Sequence, residues 1–153
     1  MKTISIICQK GGVGKTTTVV NIASVFSKLG YKTLIIDLDP QGNVSTYLNY
    51  DKMSENHTDS IDLLEKKESI QPGQISENLD ILSSNTEIAK FNEEKIVGGS
   101  KLQQAFRHIK FKEYQIILID TPPTMSSLVQ EALAVSDYYL IPATPEFLAV
   151  EGV

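Results

Sequence analysis

The chain of 153 residues carries 19 acidic and 14 basic side chains, a formal charge of −5, and 41% of its residues are hydrophobic. Those proportions exclude a disordered or collagen-like chain, and a single cysteine excludes an intrachain disulfide, so a reducing cytoplasm is the expected compartment. Net acidity speaks against nucleic acid as a constitutive partner without excluding a local basic patch, and no apolar run approaches the ~18 residues of a membrane span.

Periodicity orders the elements. Ile4-Ser5-Ile6-Ile7-Cys8 is a short apolar, β-branched run ending in glycines, which predicts a buried strand. From Lys15 to Leu29 the residues Val19, Ile22, Ala23, Phe26 and Leu29 recur at helical spacing, with Gly30 placed to stop the helix. Thr33–Asp37 reads as a second buried strand, completing a parallel βαβ unit. In the acidic middle third, a short helix is expected over 60–67 and a strand at Leu79–Leu82. Leu102, Ala105, Phe106 and Ile109 predict an amphipathic helix over 100–110. The run Gln115–Asp120 is the strongest strand signal, continuous enough for a sheet covered on both faces. A helix around Leu128–Leu133 and a strand at Tyr138–Ile141 follow. Alternating strands and helices predict an α/β fold, a mostly parallel sheet flanked by helices, as one domain over residues 1–153.

The chemistry is concentrated where the first strand meets its helix, at Lys10-Gly11-Gly12-Val13-Gly14-Lys15-Thr16-Thr17. Phosphate oxygens can approach a backbone turn closely only where no side chain intervenes, which Gly11, Gly12 and Gly14 allow. The helix beginning near Lys15 adds its positive end, Lys15 an ammonium for the β- and γ-phosphates, and Thr16 a hydroxyl for Mg²⁺. The common P-loop has glycine five positions before Gly14, where this chain has Gln9. Plain strand-to-helix punctuation is the alternative reading of these glycines.

This loop resembles the deviant Walker A motif of the ParA/MinD family of ATPases, whose signature lysine early in the loop matches Lys10. In that family two subunits sandwich two ATP molecules, and the resemblance implies that Lys10 reaches the partner's nucleotide, as an arginine finger does. Asp37-Leu38-Asp39-Pro40-Gln41-Gly42-Asn43 resembles the second-strand motif of the ParA branch. The resemblance implies that Asp39 positions or activates the attacking water and helps hold the metal, with Asp37 in support and residues 40–46 as a switch that senses the γ-phosphate. On its own, Asp-Pro-Gln-Gly-Asn is good turn chemistry. Asp120 followed by Thr121-Pro122-Pro123 looks like the family's Walker B acid, which would hold Mg²⁺ beside Thr16 and Asp39. Ile141-Pro142-Ala143-Thr144-Pro145-Glu146 resembles the family's next strand and loop, near the nucleotide base.

The fold class implied is therefore a P-loop NTPase with a deviant Walker A, with ATP and Mg²⁺ as cofactors. Catalysis would fall to Lys10, Lys15 and Asp39, and nucleotide binding to Gly11, Gly12, Val13, Gly14, Lys15, Thr16 and Thr17. The implied function is slow ATP hydrolysis driving a dimerisation switch in plasmid or chromosome partitioning. An ATP-bound homodimer would bind DNA non-specifically, associating with the nucleoid, until a centromere-binding partner stimulates hydrolysis. Members of the family run to roughly 250 residues, so this chain is expected to be the N-terminal part of a larger domain, with residues 147–153 opening a further helix and the DNA-binding basic residues beyond residue 153.

Alternatives remain at this point. A MinD-like ATPase would use the same loop to position a membrane or cell-division assembly, although no amphipathic terminal helix is visible and no membrane partner is expected. A non-hydrolysing ATP-sensing adaptor would need the same phosphate grip. An iron–sulfur electron carrier fails on the single cysteine, and an autokinase-type terminal tyrosine cluster is missing, the tyrosines being scattered. Cys8 reads as a core residue, His57 and His108 lack partners at metal spacing, and Arg107–Lys112 reads as a solvated helix end.

Overall fold

Short apolar runs that must be covered on both faces pair into a parallel sheet. The computed structural model describes residues 1–52, 57–93, 99–108 and 111–143. Its six-stranded sheet contains β1 (Lys2–Ile6), β2 (Thr33–Asp37), β3 (Gly73–Ser76), β4 (Leu79–Leu82), β5 (Ile116–Asp120) and β6 (Tyr138–Leu140). The order is β3-β4-β2-β5-β1-β6, and only β3 runs antiparallel to its neighbour. The expected α/β class, with a mostly parallel sheet and flanking helices, is what is found. The helices are α1 (Lys15–Lys28), α2 (Asn43–Tyr47), α3 (Ser60–Leu64), α4 (Lys101–His108) and α5 (Ser127–Val135), with 3-10 turns at Thr86–Phe91 and Phe111–Glu113. None of the described helices is long and apolar enough to cross a membrane.

The strand pleat sends alternate residues into two separate cores. Leu34, Ile36, Ile117 and Ile119 pack toward α3, α4 and α5, whereas Ile35, Leu118 and Ile81 pack toward Val19 and Ala23 of α1. These strand side chains are fully buried, each contributing about 1.5–3 kcal/mol to folding. Such two-sided cover is what the continuous apolar run at 116–119 called for.

The strand ends differ from the sequence reading for a reason found in the pairing. β1 starts at Lys2 because it runs in register with β5 from Lys2↔Ile116 to Ile6↔Asp120, anchored by the Lys2 amide donating to the Gln115 carbonyl at 2.8 Å. It ends at Ile6, so Ile7 and Cys8 already belong to the glycine loop rather than to the expected strand end. At the other edge, β6 stops at Leu140 instead of Ile141.

Helix limits follow local chemistry. Gly30, at φ +86°, ends α1 in a Schellman arrangement: the Tyr31 amide donates to the Phe26 carbonyl and the Gly30 amide to the Ser27 carbonyl, both at 3.0 Å. α3 is shorter than 60–67 because Lys66 takes a left-handed backbone at φ +61°. Its start is fixed by Asp59, whose carboxylate accepts from the Ile61 and Asp62 amides while Asp62 returns the bond to the Asp59 amide. α4 occupies Lys101–His108; Ile109 and Lys110 of the expected helix lie outside the described residues, as do Met53 and the segment 144–153. Phe111, grouped by sequence with a solvated helix end, is instead buried in the α4–α5 core.

Candidate functional site

The crossover connections place the glycine loop at the centre of the carboxyl edge of the sheet. β1 lies between β5 and β6, and β2 lies on the far side of β5, so the chain leaves β1 in one direction and returns from β5 in the other. Ligands of open parallel sheets bind at such a reversal. Three chain segments meet there: the loop 7–14 with α1, the turn after β2, and the end of β5.

The loop takes a shape that only glycine supports at two places. Gly12 has φ +76° and Gly14, which caps α1, has φ +88°. A Cβ built on Gly11, Gly12 or Gly14 would meet nothing within 4 Å, so the loop opens onto free space. No side chain caps the first amides of α1, and no acid stands in its first turn. The helix therefore presents uncompensated positive ends to that space, the electrostatic requirement for an anion.

A cleft of about 330 Å³ lies over the loop, lined by Gly11, Gly12, Gly14, Lys15, Thr16, Thr17, Asp39, Gln41, Asn43, Tyr47 and Pro123. Most of the sequence-derived site is thus gathered in one place. Lys15 is 7% exposed, its ammonium curled back to donate to the Cys8 carbonyl at 3.1 Å and the Lys10 carbonyl at 3.3 Å. Val13 turns into the protein, so only its backbone belongs to the loop surface. Lys10 is half-buried and does not line the cleft. Sequence reasoning missed Tyr47 and Pro123 as cleft residues; Tyr47 ends α2, a helix of five residues too short to leave a periodic signal.

The acids sit at adjoining strand ends. Asp37 and Asp120 are directly paired in the β2–β5 register. The Asp120 Oδ2 accepts the Thr16 hydroxyl at 2.7 Å, which ties β5 to the first turn of α1. Its other oxygen, Oδ1, is buried without a hydrogen-bond partner in the described structure, as is Asp37 Oδ2. Asp37 Oδ1 accepts the Asp39 amide at 3.0 Å, and Asp39 Oδ1 accepts the Gln41 amide at 2.9 Å. Because β2 ends at Asp37, strand alternation does not carry on to Asp39: Asp37 is fully buried beneath the turn, and Asp39 reaches the cleft.

Burial raises the Asp120 carboxyl to about 6; the Asp39 charge raises it too, while the Thr16 bond and the Lys15 charge pull the other way. Asp37 is held well above the usual carboxylate range, chiefly by burial and then by the charge of Asp120. Two buried acids side by side, each with an unsatisfied oxygen, favour a cation or a proton between them. Among the described residues no three His, Cys, Asp or Glu side chains converge as a protein-only metal cage. A hydroxyl and carboxylate oxygens without a full cage suit Mg²⁺, which keeps waters and shares its shell with phosphates. The donor set therefore fits that ion when a polyphosphate completes it.

Cys8 is buried, and the phenolic oxygen of Tyr50 lies 3.0 Å from His57 Nδ1.

The arrangement defines a P-loop type of nucleoside-triphosphatase fold, and comparison with known proteins narrows it. The family profile described as an AAA domain matches residues 1–153. Sporulation initiation inhibitor protein Soj of Bacillus subtilis is 34% identical over 160 residues, covering 99% of this chain and 61% of that protein. Chromosome-partitioning ATPase Soj of Thermus thermophilus is 32% identical over 154 residues, covering 100% and 59%. A plasmid partition protein of Borrelia burgdorferi, bound to AMPPNP, superimposes with a TM-score of 0.88 at 32% identity, covering 99% of this chain and 66% of its own. The chain belongs to the ParA/MinD family of P-loop ATPases, and partition proteins are among the relatives it matches. It spans about 60% of the length of these curated relatives.

Proposed function

We propose that this chain forms the phosphate-handling part of a ParA-like ATPase, in which Mg²⁺-dependent ATP binding and slow hydrolysis switch a protein between monomer and dimer during plasmid or chromosome partitioning. The observation that carries the reading is the bond from Thr16, which lines the glycine-lined cleft, to Asp120, whose Oδ1 is buried without a hydrogen-bond partner among the described residues. Thr16, Asp120 and Asp39 would hold the ion; Mg²⁺ when bound supplies charge neutralisation at the β- and γ-phosphates.

The residues divide the remaining work. The amides of Gly11 to Thr17 hold phosphate oxygens, and Lys15, already poised on the loop carbonyls, adds a positive charge there. Asp39 lines the cleft with one oxygen committed to the Gln41 amide, leaving its second oxygen to orient a water. Asp37 supports the turn through the Asp39 amide. Lys10, which does not line its own cleft, serves the nucleotide of a second subunit. The closed homodimer then binds DNA through residues beyond 153, on the nucleoid, until a centromere-bound partner stimulates turnover. The Bacillus and Thermus relatives support this branch over a membrane-positioning one.

Calorimetry on the full-length protein tests the reading: ATP with Mg²⁺ should give a saturable heat, and its absence would overturn the proposal. Asp39→Ala should still bind ATP saturably while phosphate release falls by about 10²–10⁴-fold. Normal hydrolysis by this variant would remove Asp39 from its assigned role.

A further inference from the structure

Lys52 belongs to no motif, yet it joins two parts of the site. Its residue is exposed as a whole, but its ammonium turns inward and donates to the Gly42 carbonyl and the Ser84 carbonyl, both at 2.8 Å. Gly42 opens α2 within the turn that carries Asp39 and Gln41, and Ser84 follows the end of β4. A side chain on Gly42 could not coexist with this junction: its Cβ would lie 2.2 Å from Lys52 Nζ and 2.4 Å from the Ser84 oxygen. Gly42 also has φ +59°, so backbone shape and close approach demand glycine at the same place.

The junction is anchored by hydrogen bonds on its far side. The Ser60 amide donates to the Ser83 carbonyl at 2.9 Å and the Ser60 hydroxyl to the Leu82 carbonyl at 3.1 Å, tying the end of β4 to α3. On its near side the Gly42 amide donates to the Asp39 carbonyl at 2.9 Å, so a pull on Gly42 acts directly on Asp39.

The geometry points to Lys52 as a positioning residue that latches the 39–43 turn to the end of β4, and so holds Asp39 in place over the cleft. This inference rests on the function proposed above for Asp39. The latch acts through two charge-assisted bonds to carbonyls.

Lys52→Met keeps the aliphatic stem and removes the donors, whereas Lys52→Arg keeps donors able to reach both carbonyls. In the full-length protein Lys52→Met should lower kcat about tenfold or more while the KM for ATP and the affinity for ADP stay within about twofold, and Lys52→Arg should recover most of the loss. Independently of turnover, amide exchange of the nucleotide-free Lys52→Met protein should quicken about tenfold across residues 40–48 and remain unchanged across the glycine loop. Unaltered exchange in 40–48, wild-type kcat in Lys52→Met, or failure of arginine to rescue would each overturn the latch. Should the unmodified protein turn over no ATP at all, the proposed function falls, and the exchange result still decides whether Lys52 holds the turn.

Discussion

Asp120→Asn should stabilise the nucleotide-free protein while disabling it. In the folded chain the Asp120 carboxyl titrates at about 6 against an ordinary 3.8, because it is buried and faces Asp39. A difference of that size corresponds to about 3 kcal/mol of penalty on the folded state when the acid is ionised. The sign follows from proton uptake: between 3.8 and 6 the folded protein binds the extra proton, so stability rises as pH falls from 7 toward 4. Above pH 6 the penalty is present in full. Asparagine removes the charge and keeps an oxygen that can accept the Thr16 hydroxyl. Allowing for relaxation and some water entry, a gain of about 1.5–3 kcal/mol at pH 7.5 is expected, or about 3–12 °C in Tm. Thermal denaturation without nucleotide, at pH 5 and pH 7.5, reads both effects: the variant should melt higher at pH 7.5, and the difference should narrow at pH 5. Mg²⁺-dependent heat of ATP binding should fall in the same variant. If Asp120→Asn melts lower than the parent at pH 7.5, the account of a strained, charge-crowded acid is wrong.

Other perturbations separate interface from scaffold. Lys10→Ala should weaken dimerisation with a non-hydrolysable ATP analogue about tenfold or more in sedimentation, with nucleotide affinity of the monomer within about twofold; equal loss of both would return Lys10 to its own cleft. Glu131 is 4% exposed and accepts the Ser100 hydroxyl, the Lys101 amide at 3.0 Å and the Leu102 amide at 2.9 Å, so it caps α4 from α5. Glu131→Ala should cost about 2–4 kcal/mol in urea unfolding, and Glu131→Gln distinctly less, since an amide oxygen still accepts. Equal costs would mean that packing rather than capping is at stake.

Much of the molecule was legible because its strands are homogeneous. The runs at 34–36 and 116–119 are apolar on both faces, and 79–82 is apolar apart from Asp80, so their limits depend on little besides hydrophobicity. The glycine loop was legible for a different reason: few other tasks call for Gly11, Gly12 and Gly14 before a lysine and a threonine. What escaped depends on contacts distant in sequence. β1 gains Lys2 only because β5 offers a partner, and β3, with Gly73 and Gln74 at its start, is a strand by pairing rather than by composition. The five residues of α2, four of them β-branched or hydroxylated, become helical where Val44 packs against the α1 core. Residues 40–46, read as one switch, therefore divide into a turn and a short helix ending in Tyr47. Strand alternation would turn Asp37 and Asp39 the same way only while the strand continues, and it ends between them.

The side-by-side setting of Asp37 and Asp120 has its origin in hydrocarbon, since the β2–β5 register that aligns them is the one that seats Ile36 beside Ile119. Sliding either strand by one place would swap the two cores and separate the acids at once. Drift in the greasy interior is therefore coupled to the chemistry at the rim: a substitution at Leu118 or Ile35 that shifted either strand would change the spacing between the two carboxylates.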